Sequence, residues 1–152
     1  MRIVMAISVK HKIELMPRET AMTYSYKKRI YGFECDVYGH MNNASYLNLL
    51  EAARAEALIE MGLSITKMRE MNLQIFIVGY EMKYLKGIDL EDIVEVKTYT
   101  TTLGRLKSSW KQEIYNSNGD LCFVAEMDAV FASEGKAKRL PPEAMEILQR
   151  SM

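Results

Sequence analysis

The sequence predicts an α+β domain in which one antiparallel sheet of about five strands packs around a single long helix. Three observations carry that expectation: a strand-like run leads directly into a long Ala-, Leu- and Glu-rich segment, four β-rich runs follow without helices between them, and short turns join the later runs. The 152 residues are 49% hydrophobic and 26% charged, the size and composition of one globular domain that buries its own core. No internal repeat, low-complexity stretch or Gly/Ser linker divides it. The domain is expected over residues 22–152. Residues 1–21 are an N-terminal extension without an assigned role, because their apolar stretch is broken by Lys10, His11 and Lys12 and matches no later pattern.

The first strand is read from TYSYKKRIYGF, residues 23–33, on its aromatic and β-branched content and partial period-2 alternation. ASYLNLLEAARAEALIEM then predicts a helix over 44–61, with Leu47, Leu50, Leu58 and Met61 on one stripe and Gly62 placed to close it. Ala53 and Ala57 beside that stripe let the helix approach a curved sheet closely. Strands are expected at 73–86, 92–103, 107–117 and 121–133. In the last, Leu121, Phe123, Ala125, Met127, Ala129 and Phe131 alternate onto one face. LeuGlyArg at 103–105 and AsnSerAsnGlyAsp at 116–120 read as hairpin turns. Pro141 and Pro142 open a short terminal helix, where a missing backbone donor costs little.

Composition also excludes function classes. Twenty basic and twenty acidic side chains cancel, and no block of like charge suggests a nucleic-acid arm or a membrane-binding tail. Cys35 and Cys122 form no CxxC pattern, which argues against a disulfide framework or a zinc site and for a reducing, cytoplasmic setting. No run approaches membrane-spanning length, and no export signal is recognised. GxGxxG, P-loop, GxSxG and HExxH motifs are absent, and with two separated histidines no metal site is expected.

The polar chemistry concentrates in DVYGHMNNASY, residues 36–46, where strand gives way to helix. A carboxylate, Asp36, and an imidazole, His40, stand just ahead of a helix whose first N–H groups lack intrahelical partners. Acyl transfer to water needs those parts: a carboxylate that attacks or activates water, and donors for the oxyanion that develops. The plainer role for Asp36, Asn42 and Asn43 is turn formation and capping, with Asn43 the expected cap. Tyr46 is expected to pack with its hydroxyl hydrogen-bonded. Twelve methionines suit either a core or an adaptable acyl pocket.

The run from Asp36 through GlyHisMetAsnAsnAlaSerTyr resembles the DxxGHVNNxxYL signature of hotdog-fold acyl thioesterases, the group of 4-hydroxybenzoyl-CoA thioesterase and the plant acyl-ACP thioesterases. GluMetLysTyrLeuLys at 81–86 and LeuGlyArgLeuLysSerSer at 103–109 fall in the same order, so the likeness spans about residues 23–142. The resemblance implies a hotdog fold and hydrolysis of acyl-CoA or acyl-carrier-protein thioesters, with Asp36 catalytic and His40 and Glu81 assisting. It implies substrate contacts from Tyr38, Gly39, Met41, Asn42, Asn43, Tyr46, Arg105, Lys107 and Ser108, of which Arg105 and Lys107 suit the CoA phosphates. In the plant enzymes an Asn stands two residues after the Asp; here that position is Tyr38, which favours a simpler scheme of Asp36 with backbone amides. No cofactor is implied beyond CoA as part of the substrate. A homodimer or homotetramer with sites at the subunit interface is implied, and no nucleic-acid or membrane partner. The competing readings are a non-catalytic acyl-thioester sensor and a hotdog acyl-ACP dehydratase, whose helix-borne acid is not matched here.

Overall fold

The computed structural model describes residues 22–152; the N-terminal extension expected at 1–21 lies outside the described residues. The element order is β1 (Tyr24–Arg29), a 3-10 turn (Gly32–Glu34), α1 (Asn43–Met61), α2 (Ile65–Glu70), β2 (Gln74–Tyr84), β3 (Ile93–Leu103), β4 (Lys107–Tyr115), β5 (Leu121–Ser133), β6 (Lys136–Ala137) and α3 (Pro142–Arg150). The antiparallel sheet runs β1-β3-β4-β5-β2, with the short β6 pairing β5. It curls around α1 in the hotdog arrangement. Among the described residues no helix is long and apolar enough to cross a membrane.

β1 stops four residues short of its expected end. Ile30 is fully buried, and beyond it the Tyr31 N–H turns to Glu34 Oε2 at 3.0 Å while Glu34 also pairs with Lys28, so the chain closes a 3-10 turn instead of continuing its ladder. α1 begins at Asn43 because Asn42 caps it: Asn42 Oδ1 accepts the Ala44 N–H at 3.0 Å. The cap expected at Asn43 therefore belongs to its neighbour. Gly62 ends the helix at φ 87°, a left-handed conformation that glycine adopts without a Cβ penalty.

The buried face of α1 is Tyr46, Leu49, Leu50, Ala53 and Ala57. Leu47, expected on the stripe, is 40% exposed, and the small-residue face supplies the contact with the sheet. α2 and β6 are structure that the sequence did not announce.

The core has two apolar parts. One gathers Met41, Tyr46, Leu49, Leu50, Ile88, Val94, Val96, Ile114 and Phe123 around the first half of α1; the other gathers Leu63, Met68, Leu73, Trp110, Met127, Phe131 and Leu148 at its far end. A polar residue holds helix to sheet between them. Gln112, 1% exposed, donates to the Leu50 carbonyl at 2.9 Å and to Thr98 Oγ1 at 3.0 Å, and its Oε1 accepts from Arg54 Nη1 at 3.0 Å. Every polar atom of that amide is thereby employed, which its burial requires.

Candidate active site

The stretch from Cys35 to Met41 folds back on itself before α1 begins. Cys35 and Met41 face each other across an antiparallel bridge, the Asp36 N–H donates to the His40 carbonyl at 2.8 Å, and the Gly39 N–H donates to the Asp36 carbonyl at 3.1 Å. Gly39 sits at φ 80°, which explains a glycine at the tightest point. Inside this turn Asp36 Oδ1 accepts the Tyr38 N–H at 2.9 Å and the His40 N–H at 3.3 Å. The carboxylate is half-buried, and its Oδ2 meets no hydrogen-bond donor among the described residues. One oxygen fixes the side chain.

The loop between β2 and β3 clasps this turn from the side. The Met41 N–H donates to the Ile88 carbonyl at 2.8 Å, the Leu90 N–H donates to the Gly39 carbonyl at 3.2 Å, and His40 and Asp89 form a further antiparallel bridge. The His40 imidazole lies against Gly87, where an added Cβ would meet the ring at 3.0 Å, and its Nε2 is 3.4 Å from Asp89 Oδ1. His40 thus reaches Asp36 through its main-chain N–H, and its ring goes to Asp89. Neither Gly87 nor Asp89 carries a sequence signal that separates it from an ordinary loop residue.

At the helix start the Ala44 N–H is taken by the Asn42 side chain and the Ser45 N–H by the Asn42 carbonyl, whereas the Asn43 N–H meets no acceptor among the described residues. An unpaired amide at a helix N-terminus carries partial positive charge and suits an anionic oxygen. Directly beneath, Tyr46, Tyr84 and Phe123 pack ring to ring at 5.0, 4.7 and 4.9 Å. Burial, helped by Cys122, Tyr84 and Asp36 nearby, pushes the Tyr46 phenol up to about 12, so it is neutral and serves as a wall, not a base. Burial likewise raises the thiols of Cys35, assisted by Asp36 and Glu34, and of Cys122; neither is a thiolate nucleophile near neutral pH. Met41 and Tyr46, each 3% exposed, belong to the core, while Tyr38, Val37 and Phe33 form an exposed apolar rim.

The other expected residues do not join this cluster within one protomer. Glu81 lies in the part of β2 where Tyr80 and Met82 face the core, so alternation turns it to the outer face, 3.5 Å from Lys83. Arg105 and Lys107 are exposed beside the β3–β4 turn, where Leu103 packs against the same core cluster as Leu58 and Met61 of the C-terminal end of α1. That helix is about 28 Å long at 1.5 Å per residue, and Asp36 stands at its other end. Ser108 is 2% exposed and accepts the Trp110 indole N–H at 2.9 Å, so its hydroxyl is a core group and not a ligand contact in one protomer. A surface hollow of about 440 Å³ lies on neither site, between Lys27, Glu95, Lys97 and Tyr115. Among the described residues no group of three His, Cys, Asp or Glu side chains converges as a metal site would require.

The description "thioesterase-like superfamily" matches residues 33–148, from the rim of the turn to α3. The long-chain acyl-CoA thioesterase FadM of Escherichia coli (strain K12) is 34% identical over 68 residues, which cover 45% of this chain and 51% of that protein. The crystal structure of a hypothetical protein from Aquifex aeolicus is similar with a TM-score of 0.78 at 25% identity, covering 82% of this chain and 98% of that one. DHNA-CoA thioesterase from Staphylococcus aureus shares the fold, with a TM-score of 0.77 at 22% identity over 85% of this chain and 90% of that one.

Proposed function

The chain belongs to the thioesterase-like superfamily, and on that premise we propose that it hydrolyses acyl-CoA thioesters with Asp36 as the catalytic carboxylate. The observation that carries the reading is the division of labour within that side chain: Oδ1 is held by two backbone amides, and among the described residues Oδ2 meets no donor, in the turn that leads into α1 and its unpaired Asn43 N–H. In the general-base form, Oδ2 takes a proton from water as the water oxygen bonds to the thioester carbon. The carbonyl oxygen becomes an oxyanion facing the Asn43 N–H; collapse breaks the C–S bond, and the thiolate leaves with the proton Asp36 had accepted. In the nucleophilic form the same oxygen attacks the carbon directly, the C–S bond breaks to expel the thiolate, and water then cleaves the resulting anhydride, releasing the acid, restoring the Asp36 carboxylate and supplying the proton that the thiolate takes up. Both forms need an ionised Asp36 and no metal or organic cofactor. His40 assists from the rim.

The substrate's CoA portion is assigned to Arg105 and Lys107 of a second copy of the chain. Among the described residues β2 is an edge strand of the sheet with no partner on its outer side, and Phe76, Ile77 and Val78 are each at least 40% exposed, a surface suited to edge-to-edge pairing. The backbone bonds to Oδ1 favour a second reading, in which Asp36 only shapes the turn and the protein binds thioesters without cleaving them. Asp36→Asn separates the two, because the amide oxygen preserves both acceptor bonds while the charge is lost. Thiol release from a panel of acyl-CoAs is expected for the wild type and abolished in Asp36→Asn with the fold intact; equal turnover by the variant would end the catalytic assignment.

A further inference from the structure

We propose that Asp89 is a positioning residue for His40, acting through a ring that packs closely against Gly87. The proposal rests on the reading above in one respect, that His40 takes part in turnover. It adds residues to which neither the sequence motif nor the family membership assigns a role.

Three contacts fix the imidazole. It lies against Gly87, where a methyl group would stand 3.0 Å from Cδ2 and 3.3 Å from Nε2, tight enough that the ring would have to shift by a few tenths of an ångström. Its Nε2 lies 3.4 Å from Asp89 Oδ1, and the backbones of residues 40 and 89 are joined by an antiparallel bridge. Residue 40 therefore stands between two carboxylates, giving its main-chain N–H to Asp36 and its ring to Asp89. The two contacts fix different things: one aims the catalytic carboxylate, and the other aims the imidazole.

The chemistry follows from the inventory of a neutral imidazole, which has one N–H donor and one acceptor nitrogen. In the proposed arrangement the Asp89 carboxylate accepts a hydrogen bond from the Nε2 proton on a small ring adjustment, which leaves the Nδ1 lone pair as the acceptor. This is the orienting logic of a carboxylate–histidine pair, in which the acid sets tautomer and direction without itself exchanging the proton. Asp89 is exposed, so the pair contributes little to folding stability. Its role is directional.

Steady-state kinetics on the best acyl-CoA, with His40→Ala, Asp89→Ala, the double variant and Asp89→Glu, test the coupling. Asp89→Ala is expected to lower kcat by about ten-fold, the effect of losing an orienting partner, with KM little changed. The double variant should be no slower than His40→Ala alone, and Asp89→Glu should recover part of the loss. Losses that multiply in the double variant, or an Asp89→Ala enzyme with wild-type kcat, overturn the proposal. An unaffected His40→Ala enzyme removes its premise. A second readout does not depend on turnover: the chain has two histidines, so His40→Ala assigns the long-range proton–nitrogen correlations of the His40 ring. Both ring-nitrogen resonances should move in Asp89→Ala and return in Asp89→Glu. If they stay where they are in Asp89→Ala, positioning by Asp89 is wrong even if thioester hydrolysis stands; if they move in a protein inert to every thioester, the pair is real and the proposed function fails.

Discussion

Replacing Gln112 with leucine tests whether the polar link between α1 and the sheet holds the helix where the site needs it. The substitution keeps the side-chain volume nearly constant, so the effect is one of hydrogen bonding rather than cavity formation. Loss of the bond to the Leu50 carbonyl removes about 1 kcal/mol, since that carbonyl keeps its acceptor role within the helix. Thr98, fully buried, is left with an unpaired hydroxyl at a cost of about 1–2 kcal/mol. The Arg54 guanidinium is only half-buried and regains water, so its lost bond counts for no more than about 1 kcal/mol. Greater apolar burial by leucine offsets about 1 kcal/mol, for a net destabilisation of about 1–3 kcal/mol. For a chain of this length that lowers Tm by about 2–12 °C. The measurement is urea unfolding at one fixed protein concentration, with kcat determined well below the transition. A loss below about 0.5 kcal/mol would mean that packing alone seats α1 and that the argument from Gln112 is mistaken.

Arg105→Ala combined with Lys107→Ala should raise KM for CoA esters about ten-fold, near 1.4 kcal/mol for two solvent-exposed contacts, and lower kcat less; an effect on kcat alone excludes a CoA-binding role. Burial pushes the Glu113 carboxyl up, but the Tyr115 and Tyr99 hydroxyls and Lys111 outweigh it and hold the group below its ordinary 4.5. A depressed folded-state pKa gives stability that is present above about 4.5 and lost as pH falls through the folded value, so Tm of Glu113→Gln should vary less with pH than the wild type below that point. An unchanged acid limb refutes this. Val78→Lys on the exposed edge of β2 removes no buried contact within a protomer and should shift the protein to monomer by light scattering while abolishing turnover; a fully active monomer would sever the site from the β2 edge.

The helix and the later strands were legible because their signals are local. AsnSerAsnGlyAsp announces the β4–β5 turn, and the structure closes it with the Asn116 N–H on the Asp120 carbonyl at 3.0 Å and Gly119 at φ 81°. The period-2 run of β5 buries the residues it predicted, with Leu121 half-buried at its end. What misled is tertiary. Leu47 and Leu50 look equivalent on a helical wheel, but a curled sheet approaches the face carrying Ala53 and Ala57, and Leu47 is left outside. Asp36 could be singled out from its neighbours in sequence. Asp89 and Gly87 could not, because they acquire meaning only when the β2–β3 loop meets residues 39–41 some fifty positions away.

The distance between Asp36 and Arg105 within a protomer becomes an argument about subunits once the direction of β2 is followed. Its Tyr84 end touches Tyr46, beside the Asp36 turn; its Gln74 end follows Leu73, in the core cluster that lies under the β3–β4 turn. Two copies joined antiparallel along β2 by a two-fold axis must set the Tyr84 end of each against the Gln74 end of the other. Edge pairing alone therefore carries Arg105 and Lys107 of one copy toward Asp36 of the other. Subunit mixing tests this without a structure of the pair. Asp36→Asn protein is inactive in the proposed scheme, and the Arg105→Ala, Lys107→Ala protein has a raised KM. In a mixed dimer, one shared site combines Asp36 from the second chain with Arg105 and Lys107 from the first, and is intact. Co-refolded mixtures should regain a phase with wild-type KM. If every site is built from one chain, no intact site can arise, and mixtures that show only the raised KM would return the CoA contacts to the protomer that holds Asp36.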